Sequence, residues 1–563
     1  MICTPRIFAA LLTATLFLAP SLIRAEDDKP ADKASADKAT ADKTAEKAPP
    51  AEVKTQGAVE VGGQKIAYTA IAGTLTVGAT DAQDAQLGLD GKPQAGSQLA
   101  LNEPKEPKDA APVARMFYVA YFKGVPGDGS SSLGQKKDAK AEDRPLTFFF
   151  NGGPGSASVW LHMGSLGPKH VVTTGDQHLP AAPYKLVDNA YSLLDASDLV
   201  FIDMPGTGFG RLTGKDPEKA FWGVDEDANA FARFIQRFLA KYNRYNSPKY
   251  IFGESYGTTR SAVLADNLEN RMSNDLNGVI LLSQIFNFTT DIDGPSGNPG
   301  VDLPYILALP TYAATAWYHK KLPQQPATLE AFLKDVEEFA MGPYSHALAL
   351  GTDLSADEKQ QVAEKLHAFT GLPVAYLLKA NLRVNGGEFE KTLQDDLDLT
   401  TGRLDTRFSG PNLNSLSEYA EYDPQSSAIS SAYVSLFNDY VRRELKYGEG
   451  QTYLDHALFD GAQWDFKHNG NPISLNVAND LAEALKINPR LKVMVNGGYY
   501  DLATPFFAAQ YEEKHLPIPQ SLAKNIEYDW YESGHMVYVR DESLKQLHDR
   551  VAAFIAKTQA EGK

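Results

Sequence analysis

Residues 249–268 constrain the fold of this chain more tightly than any other stretch. An apolar run, Tyr250-Ile251-Phe252, meets Gly253-Glu254-Ser255-Tyr256-Gly257, and Thr258 to Leu268 continues as a plausible helix. A G-x-S-x-G string alone arises by chance. Between a strand and a helix it becomes a sharp turn, where the flanking glycines let the backbone fold back and expose the Ser255 hydroxyl. The ordinary alternative is a serine in a tight turn.

The surrounding sequence supplies the sheet that such a turn needs. Leu146 to Phe150, Leu199 to Ile202, Lys249 to Phe252, Val279 to Leu282, Val493 to Val495 and Ile526 to Trp530 are short apolar runs. Unbroken runs of this length suit strands buried on both faces of a parallel sheet. Between the second and third runs, Phe231, Phe234, Ile235, Phe238 and Leu239 recur at helical spacing after an acidic first turn, Asp225-Glu226-Asp227. Carboxylates there suit the positive end of the helix dipole. Strand–helix alternation predicts a doubly wound α/β core. The stretch 287–450 breaks this rhythm and reads as an insertion, dividing the core into 57–286 and 451–563. Stretches near 80–112 and 124–144 read as surface loops between strands.

A serine nucleophile needs a base and an orienting acid, in this kind of fold in the chain order Ser, Asp, His. His319, His346, His367, His456, His468 and His515 lie in helix-like or insertion-like settings, and His548 sits on a final amphipathic helix, where solvation is expected. His535 differs. It stands in Glu532-Ser533-Gly534-His535-Met536, directly after the last apolar strand. Asp501 follows another strand and the turn Gly497-Gly498, between Ser255 and His535 in the chain. Asp203 also ends a strand but precedes the serine, so a loop-fixing role fits it better.

Acyl transfer also requires donors for an oxyanion. The amide of Tyr256 and a glycine loop after an earlier strand, Asn151-Gly152-Gly153-Pro154-Gly155, are placed to supply them. A phosphate-binding loop would end in Lys-Ser or Lys-Thr, and Ser156-Ala157-Ser158 has no lysine. No H-E-x-x-H pattern is present, and the reading calls for no metal and no cofactor.

The N-terminal region reads as leader and tether. Arg6 followed by the apolar run Ile7 to Leu22, ending near Ala25, predicts an export signal over residues 1–25 and no membrane span after its removal. Residues 26–56, with Ala-Asp-Lys units at a period of five, keep no apolar face and read as a solvated tether. Cys3, the single cysteine, lies inside the signal, so no thiol chemistry is expected afterwards. A formal charge of −17 argues against nucleic acid as a partner.

Taken together, Asn151 to Gly155, Leu166-Gly167-Pro168, Gly206-Thr207-Gly208-Phe209, Gly253 to Gly257 and Gly534-His535-Met536 resemble the serine carboxypeptidases. The resemblance implies an α/β-hydrolase core with a helical cap insertion, acting on peptides with a free C-terminal carboxylate. By motif it implies Ser255 as nucleophile, His535 as general base, Asp501 as its orienting acid, and the amides of Gly153 and Tyr256 as oxyanion donors. It also implies that Asn151 and Glu254 bind the substrate's terminal carboxylate. Many relatives carry a glutamate where this chain has Ser165, and a cysteine where it has Ser156. The expected protein is an exported bacterial enzyme, periplasmic or secreted. An esterase or acyltransferase on the same frame and a noncatalytic envelope binding protein are the other readings.

Overall fold

The computed structural model describes residues 52–102, 104–124, 143–459, 463–470 and 474–561. The predicted signal and most of the predicted tether lie outside the described residues. The strands that carry the fold are β1 (Glu52–Val61), β2 (Gln64–Gly78), β3 (Val113–Lys123), β4 (Leu146–Phe150), β5 (Asp198–Ile202), β6 (Lys249–Glu254), β7 (Gly278–Leu282), β8 (Lys492–Gly498) and β9 (Ile526–Tyr531). They form one sheet in the order β1-β2-β3-β5-β4-β6-β7-β8-β9, with Arg211–Thr213 pairing on β3. β1 to β3 run antiparallel, β3 meets β5 antiparallel, and every pairing from β5 to β9 is parallel.

β1 begins at Glu52, inside the stretch expected to be tether. It pairs with β2 along its whole length, from Glu52 opposite Gly73 to Val61 opposite Gln64, and backbone pairing orders residues whose composition alone would leave them solvated.

The parallel strands explain their unbroken apolar runs. Phe148 and Phe150 belong to one buried cluster and Phe149, between them, to the other; Ile251 likewise opposes Tyr250 and Phe252. Alternate side chains fill cores on both sides of the sheet, which is why these strands read as unbroken apolar runs rather than as alternating ones. On the first side, α1 (Val224–Tyr242) contributes Phe231, Phe234, Ile235, Phe238 and Leu239. In its first turn Asp227 is fully buried and pairs with Arg260 at 2.6 Å.

The insertion is not one unit. Helices α2 (Leu303–Tyr318), α3 (Leu329–Phe339) and α4 (Ala356–Thr370) share a cluster with Tyr500, Leu502 and Phe506–Ala508. Helix α5 (Pro424–Arg443) instead buries Ile429, Tyr433 and Phe437 in the second core cluster and belongs with the sheet. The stretch 80–112 also holds short helical turns, Asp81–Asp84 and Gln98–Leu101. On the last helix, α6 (Asp541–Glu561), His548 is buried rather than solvated, lying 3.2 Å from Asp195 and 3.0 Å from Asp549.

Register levels the strand ends. Phe150 stands opposite Gly253, Leu282 opposite both Glu254 and Asn496, and Gly498 opposite Tyr531. The loops leaving β4, β6, β7, β8 and β9 therefore emerge along one edge, where α/β sheets place their sites.

Candidate active site

Ser255 sits between β6 and the helix Tyr256–Asp266 with φ 62° and ψ −131°. Such a conformation costs of the order of 1–3 kcal/mol and persists only where its surroundings enforce it. Here the Ser255 N–H donates to the Leu282 carbonyl (3.0 Å), and the Thr258 N–H donates to the Ser255 carbonyl (2.7 Å). The flanking glycines are sterically required. A Cβ at Gly253 would lie 2.2 Å from the Gly257 carbonyl oxygen, and one at Gly257 would lie 2.8 Å from that of Phe150.

The loops after β8 and β9 bring the predicted acid and base together. His535 Nδ1 lies 2.8 Å from Asp501 Oδ2, with both side chains buried. With Nδ1–H donated to a carboxylate, Nε2 keeps its lone pair and can accept a proton. Burial disfavours the charged imidazole, but the Asp501 charge and hydrogen bond outweigh it and raise the His535 pKa above its ordinary value. One short segment ties this loop to the elbow: Leu282 accepts the Ser255 N–H, and the next residue, Ser283, donates its hydroxyl to the His535 carbonyl (2.7 Å).

The glycine loop lies directly on the elbow. A Cβ at Gly152 would come within 2.3 Å of the Tyr256 nitrogen, and Gly153 takes a φ of +109°. The Tyr256 amide opens its helix, where an N–H has no intrahelical acceptor. Asn151 is held at three atoms. Its carbonyl accepts from Arg260 Nη1 (2.6 Å), its Oδ1 accepts the Leu161 N–H (3.0 Å), and its Nδ2 donates to Glu254 Oε2 (2.9 Å). Glu254 is buried and also meets the Tyr538 hydroxyl at 2.9 and 3.2 Å. Burial pushes its carboxyl up to about 7, against the pull of the His535 charge and of these hydrogen bonds.

Some of the supporting residues were not legible beforehand. Thr504 gives its N–H to Asp501 Oδ1 (3.0 Å) and its hydroxyl to Oδ2 (2.7 Å); Asp-x-x-Thr spacing after a strand is a usable signal for such a turn. Residues 403–407 of the insertion clasp the loops that carry Asp501 and His535: the Leu404 carbonyl accepts the His535 N–H (2.7 Å), and the Arg403 carbonyl accepts that of Leu502 (3.1 Å). No local pattern announces that. Asp203 accepts the N–H and hydroxyl of Ser158, at 2.8 and 2.6 Å, and stands apart from the His535–Asp501 pair.

The family model described as serine carboxypeptidase matches residues 133–548. The chain belongs to the serine carboxypeptidase family. Among curated relatives, Serine carboxypeptidase-like 5 of Arabidopsis thaliana is 31% identical over 126 residues, 22% of this chain and 27% of the relative. A Carboxypeptidase Y homolog of Arthroderma benhamiae is 28% identical over 262 residues, 40% of this chain and 49% of that one. The chain thus spans about a quarter to a half of these relatives' length. Among solved structures, the prohormone-processing carboxypeptidase Kex1(delta)p of Saccharomyces cerevisiae aligns with a TM-score of 0.47 and 14% identity, over 86% of this chain and 91% of that chain. In this serine carboxypeptidase family member, the Ser165 hydroxyl turns back to the Leu161 carbonyl (2.5 Å) and leaves Glu254 without a second carboxyl from that position.

Proposed function

We propose that the protein is an exported serine carboxypeptidase, releasing C-terminal amino acids through an acyl-enzyme on Ser255. One observation carries the reading beyond acyl transfer in general. The residue immediately before the nucleophile is a buried carboxyl that holds its proton to about pH 7 and is hydrogen-bonded to Asn151. A protonated acid beside an amide can take up a substrate carboxylate without setting two negative charges together. An esterase acting on neutral substrates has no use for it.

The geometry supports the following course of reaction. His535 would take the proton of Ser255 as the hydroxyl attacks the last peptide carbonyl, with Asp501 orienting the imidazole and stabilising its charge. The amides of Gly153 and Tyr256 would receive the oxyanion, and the imidazolium would return the proton to the departing amino group. Water would then release the acyl group by the same steps in reverse. Export rests on the leader-like residues 1–25. Among the described residues no helix is long and apolar enough to cross a membrane.

The test is a phosphonofluoridate-type probe together with peptide digestion. Labelling of wild type but not Ser255→Ala, with single amino acids released stepwise from the C-terminus, supports the reading. Labelling with ester turnover but no amino acid release moves it to an esterase or acyltransferase, and no labelling at all leaves a binding protein.

A further inference from the structure

Next to Glu254 stands a buried phenol that the reaction above leaves unused. Tyr538 lies on the short turn Val537–Val539 that follows His535. Its hydroxyl approaches Glu254 Oε2 at 2.9 Å and Oε1 at 3.2 Å, while Oε2 also receives Asn151 Nδ2–H at 2.9 Å. Oε2 therefore faces two donors, and Oε1 has only the longer contact to a phenol already engaged. A proton placed on Oε2 would confront both donors, whereas one on Oε1 leaves both hydrogen bonds intact.

We propose that Tyr538 is a positioning residue for Glu254: with Asn151 it makes Oε2 the accepting oxygen, so that the carboxyl proton stays on Oε1 and is donated from there to the substrate's terminal carboxylate. This rests on the carboxypeptidase reading and adds the residue that orients its acid. The packing enforces the placement. A Cβ at Gly164 would lie 2.5 Å from the Tyr538 ring and 2.6 Å from the Tyr433 hydroxyl, so glycine there lets Tyr538 fit beside Glu254. Other groups facing this carboxyl are Asn151 from the loop after β4, Asp501 and His535 from those after β8 and β9, and Tyr433 from α5. His535 titrates close by, so the pH readout is the difference between variants.

The experiment uses the full chain and matched peptides ending in a free acid or an amide, with kcat and KM measured from about pH 5 to 9. Tyr538→Phe should cut the preference for the free acid about tenfold, through KM more than kcat. It should also move the alkaline fall in free-acid kcat/KM to higher pH, because the ionised carboxylate loses a hydrogen bond. Gly164→Ala, which presses on the same ring, should change both in the same direction, and thermal midpoints check that each variant is folded. In Glu254→Gln the alkaline fall should be absent with or without Tyr538→Phe. If folded Tyr538→Phe keeps the wild-type preference and pH profile, the proposal is overturned and the carboxypeptidase reading stands. If wild type itself shows no preference for the free acid, that reading fails first and takes the proposal with it.

Discussion

Asp405 Oδ2 accepts the backbone N–H of Gly534 at 3.1 Å, so a side chain of the insertion holds the residue that precedes His535. The approach is close: a Cβ on Gly534 would lie 2.4 Å from that of Asp405. Asp405 also binds the guanidinium of Arg407, and both side chains are buried. The insertion thus braces the loop that carries His535.

Removing Asp405 should therefore cost both stability and activity. Asp405→Ala leaves Arg407 buried without its partner, a loss of about 3–5 kcal/mol in a denaturant titration. Asp405→Leu with Arg407→Met should recover most of that stability. It should not recover peptide turnover, because the Gly534 N–H stays unanchored.

The three residues proposed to carry the chemistry should fail singly. Ser255→Ala and His535→Ala should each lower kcat by about 10⁴ or more with the fold intact. Asp501→Asn should fail comparably, since an amide no longer holds the Nδ1–H tautomer. Near-full rate in Asp501→Asn combined with loss in Asp203→Asn would show the acid to be misassigned.

Two titrations should bound kcat/KM on free-acid peptides. His535 must be neutral to act as base, and its raised pKa places the rising limb above the ordinary value of 6.5. Glu254 must be protonated to receive a carboxylate, and with a pKa of about 7 it sets the falling limb. Each charge shifts the other group, so the limbs belong to the pair, and the profile should be a narrow bell close to neutrality. Ester substrates should show the rising limb alone. Glu254→Gln should abolish the falling limb and move the rising one slightly to lower pH, because Asp501 still raises the His535 pKa and only the smaller contribution of the Glu254 charge is gone.

His468 predicts a pH-dependent stability away from the site. It lies between Asp225 (2.6 Å) and Asp480 (2.9 Å). Burial opposes its charge, but the two carboxylates prevail and raise its pKa from 6.5 to about 9. The folded state binds the proton more tightly, so this contribution is complete below about pH 6.5 and lost as pH rises through about 9. The thermal midpoint of wild type should fall across that window relative to His468→Gln, which has no charge there to lose. Equal slopes in the two proteins would show that His468 holds no such proton.

What the sequence made legible was local. The elbow, the glycine loop and the strands around them are written in contiguous residues, because each is a short run whose side chains face fixed neighbours. Asp501 and His535 were readable because each follows an apolar strand whose end fixes where the next loop emerges. The clasp by Arg403, Leu404 and Asp405 was not readable, since those contacts join residues far apart in the chain and two of the three use backbone atoms. His548 misled because an amphipathic pattern does not reveal that its polar margin meets Asp195 on another element.

The most direct test compares kcat/KM for one peptide with a free C-terminal acid against the same peptide amidated, with wild-type protein slightly below pH 7. The amide forfeits a charge-assisted contact with Asn151 and Glu254, so the account predicts that the free acid is preferred by roughly ten- to a hundredfold. Equal values for the two peptides would contradict it.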